Sequence, residues 1–166
     1  GHIVATHHRY VRSAIPVLLT HTAKVASVHG ERRPEVIEIA RIFEEVAAEM
    51  NSHMFKEEMI LFPYISALAM ARRSGGPAPR APFGSIANPI LMMEAEHASA
   101  GGAMERIRHL SDNYTPPEDA CTTYRVAFQE LRQFELDLHT HVHLENNIPC
   151  PGAMQAESEF LAAEQK

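Results

Sequence analysis

Tryptophan is absent from this 166-residue chain, and cysteine occurs only twice, as Cys121 and Cys150. Two thiols cannot build a disulfide-stapled scaffold, and their scarcity fits a protein of the reducing cytoplasm. Long apolar runs are missing too, so the chain reads as soluble, and no signal-peptide pattern opens it. Positive charge is in short supply: 15 Lys and Arg face 21 Asp and Glu, for a net charge of -6. That balance leaves no electrostatic footprint for nucleic acid or an anionic membrane. Strand-like alternation and repeats of fixed period are also lacking. What is abundant is histidine, 11 residues, together with 8 methionines. An acidic, histidine-rich chain of this length points to one domain with a real core and to metal.

Helical spacing organises the rest. Residues 2–30 carry Val4, Val11, Ile15, Leu18 and Val25 on one stripe, with Pro16 as an expected bend. A second helix is expected from Pro34 to about Ala71, on the stripe Val36, Ile39, Phe43, Val46, Met50, Ile60 and Tyr64, distorted near Pro63. Residues 72–85 hold most of the turn formers and read as a long connection. A third helix follows from about Asn88 to Leu110. The run Thr115-Pro116-Pro117-Glu118-Asp119 has the chemistry of a helix start, so the fourth helix is expected from there to about Asn147, stopped by Pro149, Pro151 and Gly152. The fold class is all-α, an antiparallel up-down-up-down four-helix bundle.

On that frame the histidines sort themselves. The run L-H-T-H-V-H-L-E-N-N near the C-terminus spaces three histidines two apart. Only His141 continues the stripe Tyr124, Phe128, Leu131, Phe134, Leu138, and Glu145 follows it at i+4 on the same face. His139 and His143 point roughly 160° away. The second helix repeats the device with His53 and Glu57. The third places His97 inward after Ile90 and Met93, and the first places His8 on the Val4–Val11–Ile15 stripe. His8, His53, Glu57, His97, His141 and Glu145 would be costly to bury together without a compensating charge, which a pair of metal ions supplies. Nitrogen and oxygen donors without thiolate favour iron or manganese over structural zinc.

Depth along the bundle is less well matched. His97 lies 18 residues before Thr115 and His141 26 after it, a difference of about 12 Å of helix. The turn between them must be asymmetric, or one helix must bend. His29 sits near the His8 stripe but 21 residues on, about 31 Å away, and is therefore not expected at the same ions. His2, His7, His21, His109, His139 and His143 read as surface or satisfied polar residues. Cys150 reads as a small buried residue. The small residues Ala98, Ser99, Ala100, Gly101 and Gly102 beside His97 fit either a small-molecule channel or close helix packing.

Several long motifs carry a family resemblance: H-M-F-K-E-E-M-I-L-F-P, N-P-I-L-M-M-E-A-E-H, P-P-E-D-A-C-T-T-Y and H-V-H-L-E-N-N. Over nearly its whole length the chain resembles the hemerythrin-like domain of the Repair of Iron Centers proteins, the di-iron iron–sulfur cluster repair proteins of bacteria. The resemblance implies two iron ions, oxo- or hydroxo-bridged, held by the six residues named above with the glutamates bridging. It implies a cytoplasmic bacterial stress protein acting on damaged iron–sulfur proteins, with nitric oxide or dioxygen as small ligands. It also gives Glu96, beside His97, a place near the centre, either behind a ligand or on an iron or proton path. The family's N-terminal Cys-Cys domain has no counterpart here, so residues 1–166 are expected to form a single hemerythrin-like domain. The runner-up reading is a reversible dioxygen or nitric oxide carrier or sensor like the hemerythrins. An oxidase would be expected to hold more carboxylates and fewer histidines.

Overall fold

A computed structural model describes residues 3–147 and 149–164; His2 lies outside them. Among the described residues there is no strand, and no helix is long and apolar enough to cross a membrane. A π-helical turn, Val4–His8, leads into α1, Arg9–His29. Helix α2, Glu35–Lys56, passes through a second π turn, Glu57–Leu61, into α3, Phe62–Ser74. Then come α4, Ala87–Leu110, α5, Thr122–Asn147, and α6, Pro149–Glu164. Helices α1, α2, α4 and α5 form the antiparallel four-helix bundle.

The expected stripes make the core. Val11, Ile15, Leu18, Ile39, Phe43, Val46, Met50, Met104, Phe128, Leu131 and Phe134 are all buried. Phe43 and Phe134 meet edge to face at 5.3 Å in its middle. Pro16 does not interrupt α1, although it removes one backbone donor. The second helix departs from expectation at its π turn. There Phe62 N–H bonds to the Glu57 carbonyl, five residues back, so one extra residue is wound in. The phase of the helix slips accordingly. Ile60, expected inside, is 46% exposed, while Leu61 and Leu68 take the buried positions. Pro63, which cannot donate to the helix ladder, lies just beyond.

Two further expectations are corrected. The fourth helix starts at Thr122 and not at Thr115, because Asp112, Asn113 and Tyr114 adopt left-handed backbone angles and turn the chain sharply. Tyr114 is thereby buried, with its hydroxyl donating to Glu135 at 3.0 Å. Arg125 then donates to the carbonyls of Pro117, Glu118 and Ala120, holding the irregular stretch against α5. Counted from the helix ends, His97 is 13 residues before Leu110 and His141 19 after Thr122, so this asymmetric connection absorbs an offset of 6 residues. At the other end α5 closes at Asn147 as expected, but Pro149, Pro151 and Gly152 lie within a further helix. Pro149 begins α6, whose Cys150 and Ala153 join Leu61, Ile86, Ile90 and Met93 in a second apolar cluster. The Glu157 carboxylate of α6 accepts from the Ile86 N–H at 2.9 Å and from the Ser85 hydroxyl at 2.7 Å, capping the start of α4.

Candidate metal centre

Both π turns carry site residues. The first ends on His8 and the second begins on Glu57, and each aims its side chain into the bundle, where His8 and Glu57 are fully buried. Extra residues wound into helices recur at functional sites because they redirect a side chain without ending the helix. His53 and His97 come from regular stretches of α2 and α4, and His141 and Glu145 from the last turns of α5. All six residues selected from sequence meet at one level, each between 0% and 6% exposed.

The geometry divides them into two sets that share both carboxylates. In one, donor atoms of His8, Glu57, His141 and Glu145 lie within 4.8 Å of one another; in the other, those of His53, Glu57, His97 and Glu145 do so. Every imidazole presents Nε2 to the centre. His8 Nε2 is 3.0 Å from Glu57 Oε2, and His53 Nε2 is 3.5 Å from Glu57 Oε1. His141 Nε2 is 2.8 Å from Glu145 Oε1, and His97 Nε2 is 3.1 Å from Glu145 Oε2. Yet His8 Nε2, both Glu57 oxygens and Glu145 Oε2 make no aligned hydrogen bond. Buried donors that face each other at contact distance without satisfying one another are costly, and a cation between them removes the cost. The residues fit a dinuclear metal centre.

The outward nitrogens differ. His8 Nδ1 donates to Glu58 Oε1 at 2.7 Å, and Arg12 holds the other oxygen of Glu58 at 2.9 Å. His53 Nδ1 donates to Glu96 Oε2 at 2.8 Å, and Lys56 pairs with the second Glu96 oxygen. A carboxylate behind a ligating imidazole fixes its tautomer and ring orientation. His97 and His141 have no hydrogen-bond partner at Nδ1. His7 is buried beside the site, donates to Asp137 at 2.9 Å and stacks on His141 with ring centres 5.6 Å apart.

Electrostatics follow from these contacts. Burial opposes a charged imidazole at His8 and His53, but their carboxylate partners outweigh it and raise both above the ordinary histidine value. Burial likewise opposes the charged Glu145, and the His141 and His97 contacts overcome it, holding that carboxyl well below the usual range. The Arg12 contact lowers Glu58, and Glu96 is lowered against its burial by Lys56 and His53. Cys150 is pushed up to about 11, chiefly by burial and further by Glu145 and Glu57, so it offers a neutral thiol and not a thiolate.

Sequence reasoning placed Glu96 beside the centre but missed Glu58, Arg12, Lys56 and the His7–Asp137 pair. The adjacent Glu57-Glu58 and His7-His8 doublets were the available signals. His29 lies far down α1, where its Nε2 meets Cys121 Sγ at 3.3 Å and Tyr124 edge-on. His21 bonds to Glu130 at 2.7 Å; His109, His139 and His143 are exposed.

The Hemerythrin HHE cation binding domain matches residues 2–151. Proteins named iron-sulfur cluster repair protein YtfE from Yersinia pseudotuberculosis serotype IB (strain PB1/+) and Yersinia pestis (strain Pestoides F) are each 36% identical over 155 residues. That of Yersinia pseudotuberculosis serotype O:3 (strain YPIII) is 35% identical over the same length. Each comparison covers 93% of this chain and 64% of the relative, so the chain spans just under two thirds of the proteins it matches. The buried cluster of imidazoles and carboxylates suits the di-iron cofactor of a domain of this kind.

Proposed function

The chain belongs to the hemerythrin HHE cation-binding domain family, and on that premise we propose that it is the di-iron part of a cytoplasmic bacterial stress protein. Its task in this reading is to help restore iron–sulfur clusters damaged by nitric oxide or oxidants. The names of its relatives support the task, and one observation carries the chemistry: two buried donor sets share Glu57 and Glu145. His8 and His141 would hold one iron, His53 and His97 the other, and the two carboxylates would bridge. Bound iron supplies redox exchange and a coordination position open to a diatomic ligand.

The protein's own part is to hold the ions firmly without locking them in. Imidazoles keep ferrous iron bound, and carboxylates can change their mode of attachment to release a position. Thiolates, which would suit carriage of an assembled cluster, are absent from both donor sets, and Cys150 stays protonated. The role is therefore iron supply or nitric oxide chemistry, with damaged iron–sulfur proteins as clients. The test is reactivation of a nitric-oxide-treated iron–sulfur enzyme by the di-iron protein, against the Glu57→Ala/Glu145→Ala double variant and free ferrous iron. Full metal content in the double variant would remove the ligand assignment. Reversible oxygen binding, with reactivation no better than free iron, would favour a carrier.

A further inference from the structure

A groove of about 460 Å³ opens between α4 and α5, and His97 lines it. His97 is only 6% exposed, and its Nδ1, the nitrogen turned away from the centre, has no hydrogen-bond partner. Gly101 lines the same groove, and a Cβ added there would meet nothing within 4 Å. Gly101 thus leaves open space at this point, whereas Ala100 beside it is fully buried in the core. On the α5 side the groove is bordered by His139 and His143, both exposed. They are four residues apart on one helix, the spacing at which two imidazoles chelate a single divalent ion. The one hydrogen bond described at either ring is from the Asn147 amide to His143 Nδ1, long at 3.3 Å and solvent-exposed, hence easily given up.

We propose that His139 and His143 form a third, exchangeable metal station, where a ferrous ion rests while passing between solvent and the His97 side of the buried pair. Two imidazoles with water in the remaining positions hold a divalent ion weakly, as a transfer station requires. The buried sets, with two imidazoles and two shared carboxylates each, hold it more firmly. The groove supplies the path and His97 its inner end. The station rests on the di-iron reading above and adds to it the direction by which iron is exchanged.

The experiment uses the chain loaded with two irons. Nickel is titrated calorimetrically into this form, and iron release to a chromogenic ferrous chelator is followed separately. One further nickel equivalent is expected, abolished in His139→Ala/His143→Ala, which retains both irons and the di-iron absorption. Iron release is expected to slow several-fold in that variant and in Gly101→Leu, whose side chain fills the groove. Nickel binding that survives loss of both histidines overturns the station. Release at the parental rate in either variant overturns its place on the path. In both cases the di-iron reading stands; a parental chain that takes up no buried iron, seen in metal analysis before nickel is added, overturns both.

Discussion

Truncating Glu96 removes the acceptor behind His53 while leaving all six proposed iron ligands in place. The bond lost is a 2.8 Å charge-assisted contact from His53 Nδ1. Outer partners of this kind contribute on the order of 10- to 100-fold in metal affinity, or about 1.4 to 2.7 kcal/mol. Where Glu96→Ala falls in that range is set by exposure. The Glu96 side chain is 27% exposed and that of Lys56 40%, so water can replace the lost oxygen. The lower end, near tenfold, is expected. The effect should also be local, because Glu96 touches only the His53 half of the site. Glu58→Ala is the mirror experiment, acting through His8, and Arg12 leaves that carboxylate somewhat less exposed, at 22%. Anaerobic competition with a graded ferrous chelator should therefore show one weakened iron in each variant, and Mössbauer spectra should show a different iron perturbed. Glu96→Gln, which keeps an acceptor oxygen, should recover part of the loss. Parental affinity for both ions in Glu96→Ala, or equal weakening of both, would refute the reasoning.

Thiol reactivity should separate the two cysteines. Exposed Cys121 should alkylate readily at pH 8, while Cys150, buried and with its pKa pushed up to about 11, should lag until the chain unfolds; peptide mass spectrometry reads both, and equal rates would contradict the placement of α6. Alkaline stability should depend on Tyr114. Burial, then the Glu135 charge, raises its pKa, so the folded chain keeps a proton that the unfolded chain loses above pH about 10. Stability must fall as pH rises beyond that point, and Tyr114→Phe should flatten the fall in denaturant titrations; an unchanged slope would contradict it.

The site was legible in sequence because its residues obey the same spacing as the core. His141 follows Leu138 and Phe134 at helical intervals, and burial of the whole stripe carries the histidine inward with it. Register errors appear where the spacing itself changes. Nothing in E-E-M-I-L announces that one residue will be wound into a π turn, so Ile60 and Leu61 exchange the roles that a regular helix assigns them. The Pro116–Pro117 signal was sound chemistry for a helix start, but burial of Tyr114 through a left-handed turn decided otherwise. Glu58 was invisible as a partner, and Glu96 was placed near the centre by resemblance alone, because their histidines lie 50 and 43 residues away on other helices. Such pairings depend on relative helix rotation, which no single helix encodes.

The two halves of the centre are alike in donors and unlike in surroundings. The His8 and His141 half is the more enclosed: both rings are fully buried, His7 stacks on one and Phe62 on the other, at 5.6 Å and 5.9 Å, and it meets the surface through the partly exposed Glu58–Arg12 pair. The His53 and His97 half meets the surface twice, through the partly exposed Glu96–Lys56 pair and through the groove at Gly101. Ligand counting cannot distinguish the halves, since each offers two imidazoles and the same two carboxylates. Exchange, however, is governed by what an ion must cross and by how easily its imidazoles can turn. His97 has an open side and no hydrogen bond at Nδ1, so it is the ring freest to rotate away from the centre. The imidazole that shares the groove with the His139–His143 pair is thus also the least restrained, and both conditions for releasing an ion coincide on one side of the bundle.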